Sequence, residues 1–167
     1  MEMGLRLKSV KVTFGPFLET EFEPTEREAE AAWVLFVELS TRISTQPFDD
    51  RNGHLRDVLT SLYSVLNETR TVLKGVGPSA SNGQMYFPSI ALLLITDHIA
   101  PFLTHWHEQL SEYEALRPEN RPVLEHEKAW EYRSACLDEL RKLQEVSIAY
   151  TALFSEIAGV RKPSLIR

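Results

Sequence analysis

The chain has 167 residues, of which 43% are hydrophobic and 25% are charged. This composition excludes an intrinsically disordered protein and is typical of one globular domain, which we expect to span residues 1–167. The 24 acidic and 18 basic residues give a net charge of -6, the wrong balance for a protein that binds by neutralising nucleic-acid phosphates. We therefore do not expect nucleic acid as a partner.

The cysteine count and the apolar runs indicate the compartment. Cys136 is the single cysteine and cannot form an internal disulfide, so no oxidising compartment is required. The first twelve residues lack the order of a secretory signal, and the most apolar run, residues 90–95, is too short to span a bilayer. We expect a cytoplasmic protein with no membrane partner.

Residues 5–22 predict a β-hairpin. Apolar residues alternate with polar ones in two short runs, and Gly15-Pro16 separates the runs. A two-stranded hairpin alone is marginal in water, so this one requires support from the helices, from a partner's sheet or from a second copy.

Two helices are predicted next, at residues 25–45 and 54–74. Thr25 and Glu28 have the spacing of a capping box, which favours a helix start at that point. The apolar stripe of the first helix includes Trp33 and Ile43. The second helix ends where Gly75 interrupts the pattern.

The third and fourth helices are predicted at residues 89–116 and 123–158, with a tail over 159–167. Pro101 lies inside the third helix, where it removes the hydrogen bond to the Asp97 carbonyl and predicts a kink or break between these two residues. The whole pattern predicts a mainly α fold. It is an antiparallel four-helix bundle, with a kinked third helix and a long fourth helix, preceded by the N-terminal β-hairpin.

The first candidate site consists of Asp97, His98 and His105, beside the predicted kink. One acid and two imidazoles are groups that ligate zinc or iron, although histidines seven residues apart do not have the best spacing for a metal. The kink beside Trp106 could also open a pocket for a small molecule. The structural alternative is that Asp97 or His98 satisfies a freed carbonyl or faces solvent.

The second candidate site is Arg121 with His126, an arginine and a histidine separated by four residues at the start of the last helix. This spacing resembles the R-x4-H signature of the HEPN ribonucleases, which are small helical bundles. The resemblance covers these two residues and implies RNA cleavage without a metal, with the guanidinium stabilising phosphorane-like charge and the imidazole acting as general acid or base. Pro122 departs from the polar residue that the signature favours. The structural alternative is a turn arginine followed by a first-turn histidine.

Acidic residues are frequent on the fourth helix, and with the basic residues between them they predict a solvated face of mixed charge. A metal site formed by inward-facing carboxylates is the alternative. The acidic residues are Glu125, Glu127, Glu131, Asp138, Glu139 and Glu145.

No glycine-rich phosphate loop, nucleophile elbow, CxxC pair or HExxH helix occurs in the chain, and we predict no cofactor. The sequence favours a non-enzymatic helical protein-interaction or accessory module of a bacterial-type cytoplasmic assembly. Its partner is another protein or a second copy, as a homodimer. The alternatives are a ribonuclease that uses Arg121 and His126, and a small-molecule sensor with a pocket at the third helix.

Overall fold

The structure is a computed structural model and describes residues 9–14, 18–78 and 87–160. Two predicted features lie partly outside these ranges. The first is the β-hairpin over residues 5–22, of which residues 5–8 and the turn at Gly15-Pro16 are outside, and the second is the tail, of which residues 161–167 are outside.

The described elements are two strands and a series of helices. In chain order they are β1 (Val10–Phe14), β2 (Leu18–Phe22), α1 (Glu26–Thr41), a 3-10 turn (Ile43–Thr45), α2 (Leu55–Val76), α3 (Phe87–Leu93), a π-helical turn (Leu94–Ile99), α4 (Ala100–Ala115), α5 (Val123–Lys128) and α6 (Arg133–Ile157). The predicted mainly helical class is confirmed.

The start of α1 depends on the predicted capping box. The Glu28 backbone N–H donates to Thr25 Oγ1 at 3.3 Å, and the Thr25 backbone N–H donates to Glu28 Oε2 at 2.8 Å. Both bonds satisfy amides that have no partner in the first turn of a helix. Glu28 is buried, so this cap also fixes the path of the chain where it leaves β2.

The two strands pair antiparallel over five residues each. The register sets Val10 opposite Phe22 and Val12 opposite Thr20, and the only sheet formed by the described residues contains these two strands. β1 lies against α6. The strands therefore meet the helical body through β1, close to the start of α1.

The third helix does not break at its proline. It is one helix from Phe87 to Ala115. A kink or break was predicted between Asp97 and Pro101, and of these two the break does not occur, because a π-helical turn continues the helix there. The Ala100 N–H donates to the carbonyl of Ile95, five residues earlier. Because this pattern widens the turn, the proline ring and the Asp97 carbonyl are accommodated without ending the helix.

The fourth helix was predicted as one element over residues 123–158, and this prediction is wrong. α5 ends at Lys128, and α6 begins at Arg133. Trp130 lies in the break, is buried, and packs edge to face against Trp106 with 5.8 Å between ring centroids. The sequence has no glycine or proline here, so the packing of this indole overrides local helix propensity.

The core lies between α1, α2, the third helix and α6. Its largest fully buried side chains are Phe87, Phe154, Leu35, Leu39, Leu55, Leu59, Leu62, Ile90, Leu94, Ile99, Leu110 and Leu140. Two side chains assigned to the stripe of the first helix lie outside it, since Trp33 is 46% exposed and Ile43 is 53% exposed. Trp33 instead covers Phe36, with ring centroids 5.5 Å apart.

The helix Phe87–Ala115 is long and apolar enough to cross a membrane by length and composition, with a mean hydropathy of 1.4 over its most apolar window. Of that window, 44% is buried against the rest of the chain. The core helix of a soluble protein meets the same criterion, so this property alone assigns no membrane span.

Candidate functional site

A groove of about 440 Å³ runs between the π-helical turn with α4 on one side and α6 on the other. The predicted site residues Asp97, His98 and His105 all line it. Pro101, Phe102, Leu143 and Val146 supply its apolar surface, and Glu139 and Lys142 add charges from α6. The π-helical turn carries Asp97 and His98, so the backbone change at Pro101 positions two of the three candidates.

The polar groups around the groove form hydrogen bonds or ring contacts with neighbouring side chains. Thr96 Oγ1 donates to Asp97 Oδ1 at 2.7 Å, and Trp106 Nε1 donates to Glu139 Oε2 at 2.7 Å. The His105 ring lies edge to face on Trp106, with 4.4 Å between centroids. The Trp106–Glu139 bond joins the two walls of the groove, because Trp106 lies on α4 and Glu139 on α6.

The His98 ring contacts Tyr150 of α6 edge to face, with 5.8 Å between centroids. Burial raises the pKa of the Tyr150 phenol, and the negative charge of Asp97 raises it further. Tyr150 is therefore a neutral hydroxyl at physiological pH. It is buried and is not one of the residues that line the groove.

The three candidates do not converge as metal ligands. Within the described residues, no group of three His, Cys, Asp or Glu side chains is placed to hold a metal ion. Asp97, His98 and His105 thus share a groove but not a coordination centre.

The second candidate pair is split between two environments. Arg121 lies in the turn before α5 and donates from Nη2 to the Glu125 carbonyl at 3.4 Å. His126 is only 5% exposed. In the part of the chain that the structure describes, no hydrogen bond joins the two side chains.

His126 forms a reciprocal pair with Tyr113 of α4. The rings stack with centroids 4.1 Å apart and an interplanar angle of 6°. Tyr113 Oη donates to the His126 carbonyl at 2.9 Å, and His126 Nε2 lies 2.8 Å from the Tyr113 carbonyl. Since a carbonyl only accepts, Nε2 carries the proton, and this imidazole holds α5 against α4.

A buried polar cluster lies beside this pair, and the sequence reasoning missed it. Glu127 was assigned to a solvated face but is 2% exposed. Its Oε2 accepts the Leu55 backbone N–H at 3.0 Å, and its Oε1 lies 3.9 Å from Arg133 Nε. Burial raises the pKa of Glu127 despite the opposing effects of the Leu55 amide, His54 and Arg133. The acidic pattern alone gave no signal that this carboxylate faces inward.

The loop between the 3-10 turn and α2, residues 46–54, is held to α5 and α6 by several side chains. Gln144 Nε2 donates to the Gln46 carbonyl at 2.6 Å, and Lys128 Nζ donates to the Arg51 carbonyl at 2.7 Å. The Arg133 guanidinium lies 5.8 Å from the centroid of the Phe48 ring. The loop therefore covers the junction of α5 and α6 and encloses the buried cluster.

The strand pair offers a different kind of site. Neither β1 nor β2 has a further strand on its outer side among the described residues. Lys11 and Glu21 face each other across the pair, and both side chains are exposed. Open strand edges present backbone N–H and C=O groups to which another strand can add.

The chain matches no protein-family model, no curated protein and no solved structure.

Proposed function

We propose that this chain is a non-enzymatic helical interaction module of a bacterial-type cytoplasmic assembly, which docks by adding a strand to its β1–β2 pair. The observation that carries the proposal is the two-stranded sheet with no third strand beside it in the described ranges. Two strands alone are marginal in water. An added strand would satisfy the backbone groups of one edge.

The same proposal includes the architecture. We infer an antiparallel four-helix bundle preceded by a β-hairpin, in which α1 packs on α6 and α2, and α2 packs on the third helix. Short connections favour antiparallel neighbours. In this arrangement the strand pair precedes α1 and contacts α6 through β1, and the buried Glu28 cap fixes the start of α1.

The surroundings of His126 favour this proposal over ribonuclease activity. A general acid or base must reach the proton that it transfers. His126 is buried, its Nε2 is committed to the Tyr113 carbonyl, and Arg121 is on a turn. The pair thus has a structural explanation in the contact between α4 and α5.

The experiment is a comparison of solution masses by light scattering. We expect the full chain to have twice its monomer mass of 19.1 kDa. Thr13→Pro removes one backbone donor from β1, which serves either β2 or an added strand, so this variant should be monomeric with unchanged helicity by circular dichroism. Thr13→Ala keeps the donor and is the matched control. A wild-type chain that stays at 19.1 kDa at every concentration would refute the proposal.

A second candidate function is the binding of a small organic molecule in the groove beside the π-helical turn. The observation that favours it is that Asp97, His98 and His105 line the same groove of about 440 Å³, a volume typical of small-molecule sites. Imidazole NMR signals would test it in a fragment screen. His98 and His105 should shift together, while His107, which contacts Tyr63 instead, should not. Equal shifts of all three would argue against a groove ligand.

A further inference from the structure

The groove between the π-helical turn and α6 has two chemically different ends. The His98 ring contacts Tyr150 of α6, and Trp106 donates to Glu139 of α6. Residue numbers therefore rise along one wall and fall along the other, so the two walls run in opposite directions. Asp97 and His98 lie at one end of the groove, and Glu139 lies at the other.

The carboxylate at the Glu139 end has compensating groups. Its Oε2 accepts the indole N–H of Trp106 at 2.7 Å. Lys142 follows Glu139 by three residues on α6, a spacing that makes two side chains neighbours on a helix surface, and both residues line the groove. An ammonium group therefore stands on the next turn of the helix and offsets the charge of Glu139.

The carboxylate at the Asp97 end has no cationic partner. Asp97 is exposed, and its Oδ1 accepts only the neutral hydroxyl of Thr96. Within the ranges that the structure describes, Asp97 forms no ion pair. On α6, Val146 lines the groove one turn beyond Lys142, so no lysine or arginine lines this end. A cationic group of a ligand would supply the missing counter-charge.

The part of the groove between the two ends is apolar. Pro101, Phe102, Leu143 and Val146 line it, and Phe102 and Leu143 are buried and form its floor. The helical rise sets the two ends about 10 Å apart. An extended chain of about eight carbon atoms has this length.

We propose that the groove binds an amphipathic organic cation, a primary amine with an extended apolar chain, whose ammonium group is held at Asp97. This rests on the second candidate function, ligand binding in the same groove, and names the class of the ligand. The ammonium group would donate charge-assisted hydrogen bonds to the carboxylate, and the chain would bury apolar surface on Phe102 and Leu143. Two carboxylates and one ammonium group line the groove, so a single added positive charge balances it.

Three probes with the same eight-carbon chain test the charge of the ligand. Octylamine, octanol and octanoate carry a positive, a neutral and a negative head group at pH 7. Each is titrated into the full chain while the imidazole NMR signals of His98 and His105 are followed, with His107, which contacts Tyr63 instead, as the reference. The dissociation constant of octylamine should be at least about tenfold lower than that of either other probe.

Charge variants test the position of the ammonium group. Asp97→Asn keeps an acceptor for Thr96 but removes the charge, so the dissociation constant of octylamine should rise by about tenfold while that of octanol stays the same. Glu108→Gln is the matched control, because it removes the same charge from an exposed position of α4 that does not line this groove. Lys142→Gln removes a like charge and should lower the dissociation constant of octylamine. All three positions are exposed, so circular dichroism should show wild-type helicity.

The outcomes separate the ligand class from the groove itself. Tightest binding of octanol or octanoate would overturn the amine and leave the groove standing as a small-molecule site. Equal weakening of octylamine binding by Asp97→Asn and Glu108→Gln would show a general attraction to an acidic protein and would overturn the assignment to Asp97. No shift of His98 or His105 with any probe would end both. None of these results affects strand addition, whose readout is the solution mass.

Discussion

Glu127 of α5 accepts a hydrogen bond at 3.0 Å from the backbone N–H of Leu55, the first residue of α2, across a sequence separation of 72 residues. His54, the N-cap residue, makes no side-chain hydrogen bond to this helix start. The carboxylate of a distant helix therefore supplies the cap and also lies near the positive end of the α2 dipole.

Removal of this carboxylate should destabilise the fold. Glu127→Ala leaves the Leu55 amide without its acceptor and the Arg133 guanidinium without its nearest opposite charge. The free energy of unfolding in urea should fall by about 3 kcal/mol. Glu125→Ala is the control, because Glu125 is an exposed neighbour on the same helix and should change stability by less than about 0.5 kcal/mol. Equal effects would contradict the tertiary cap.

The ionisation of Glu127 should appear in the pH dependence of stability. Burial raises the pKa of Glu127 above its ordinary value of 4.5, so the folded state binds the proton of this carboxyl group more tightly than the unfolded state does. The contribution of this protonation equilibrium to stability is complete below pH 4.5 and is lost as pH rises through the folded pKa. Glu127→Gln does not titrate. Its stability relative to wild type should therefore rise over that window, and urea unfolding at a series of pH values measures the difference.

Two glycines should respond to alanine in opposite directions. A Cβ on Gly53 would lie 2.6 Å from the Asp49 carbonyl oxygen and 2.9 Å from the Phe48 ring, so Gly53→Ala should cost about 1–3 kcal/mol through local overpacking. Gly75 lies near the end of α2 with nothing within 4 Å of such a Cβ. Gly75→Ala should therefore stabilise the protein by about 0.5–1 kcal/mol.

Thermal unfolding of Gly53→Ala and Gly75→Ala shows whether each substitution lowers or raises the stability of the protein. An unchanged melting temperature for Gly53→Ala would show that the 46–54 loop is looser than its contacts imply.

The Cys136 thiol should not react with thiol reagents in the folded protein. It is fully buried, and burial together with the charges of Glu139 and Glu127 raises its pKa to about 12. The thiolate is the reactive form, so a chromogenic disulfide reagent should label Cys136 only at the rate of unfolding. The introduced thiol of Lys11→Cys, at an exposed position, is the control and should react within the mixing time. Fast labelling of the wild-type chain would contradict the burial of Cys136.

Substitutions of Arg121 and of His126 should differ in their effect on the free energy of unfolding. Arg121→Ala removes one exposed contact and should change the free energy of unfolding by less than about 0.5 kcal/mol. His126→Ala removes the ring that stacks on Tyr113 and donates to its carbonyl, and should cost about 2–3 kcal/mol.

An assay with single-stranded RNA tests whether Arg121 and His126 cleave RNA. We expect no cleavage that depends on Arg121. Cleavage by the wild-type chain that is lost in a stably folded Arg121→Ala variant would favour the ribonuclease instead.

The sequence by itself determined the features that depend on neighbouring residues. The capping box of Thr25 and Glu28 was predicted because its hydrogen bonds close within one turn. The second helix was predicted over residues 54–74, close to the observed Leu55–Val76, because its apolar residues repeat at the helical period. The grouping of Asp97, His98 and His105 at one groove followed in part from helix geometry, which sets residues 98, 102 and 105 on one face.

Only the tertiary structure decided the features that depend on distant partners. The break between α5 and α6 forms where Trp130 packs on Trp106, and no local residue marks it. Glu127 faces inward because the amide of Leu55 needs an acceptor, although its charged neighbours predicted a solvated face. Such choices are made by packing and by the satisfaction of buried polar groups, and these are properties of the assembled elements rather than of any one segment.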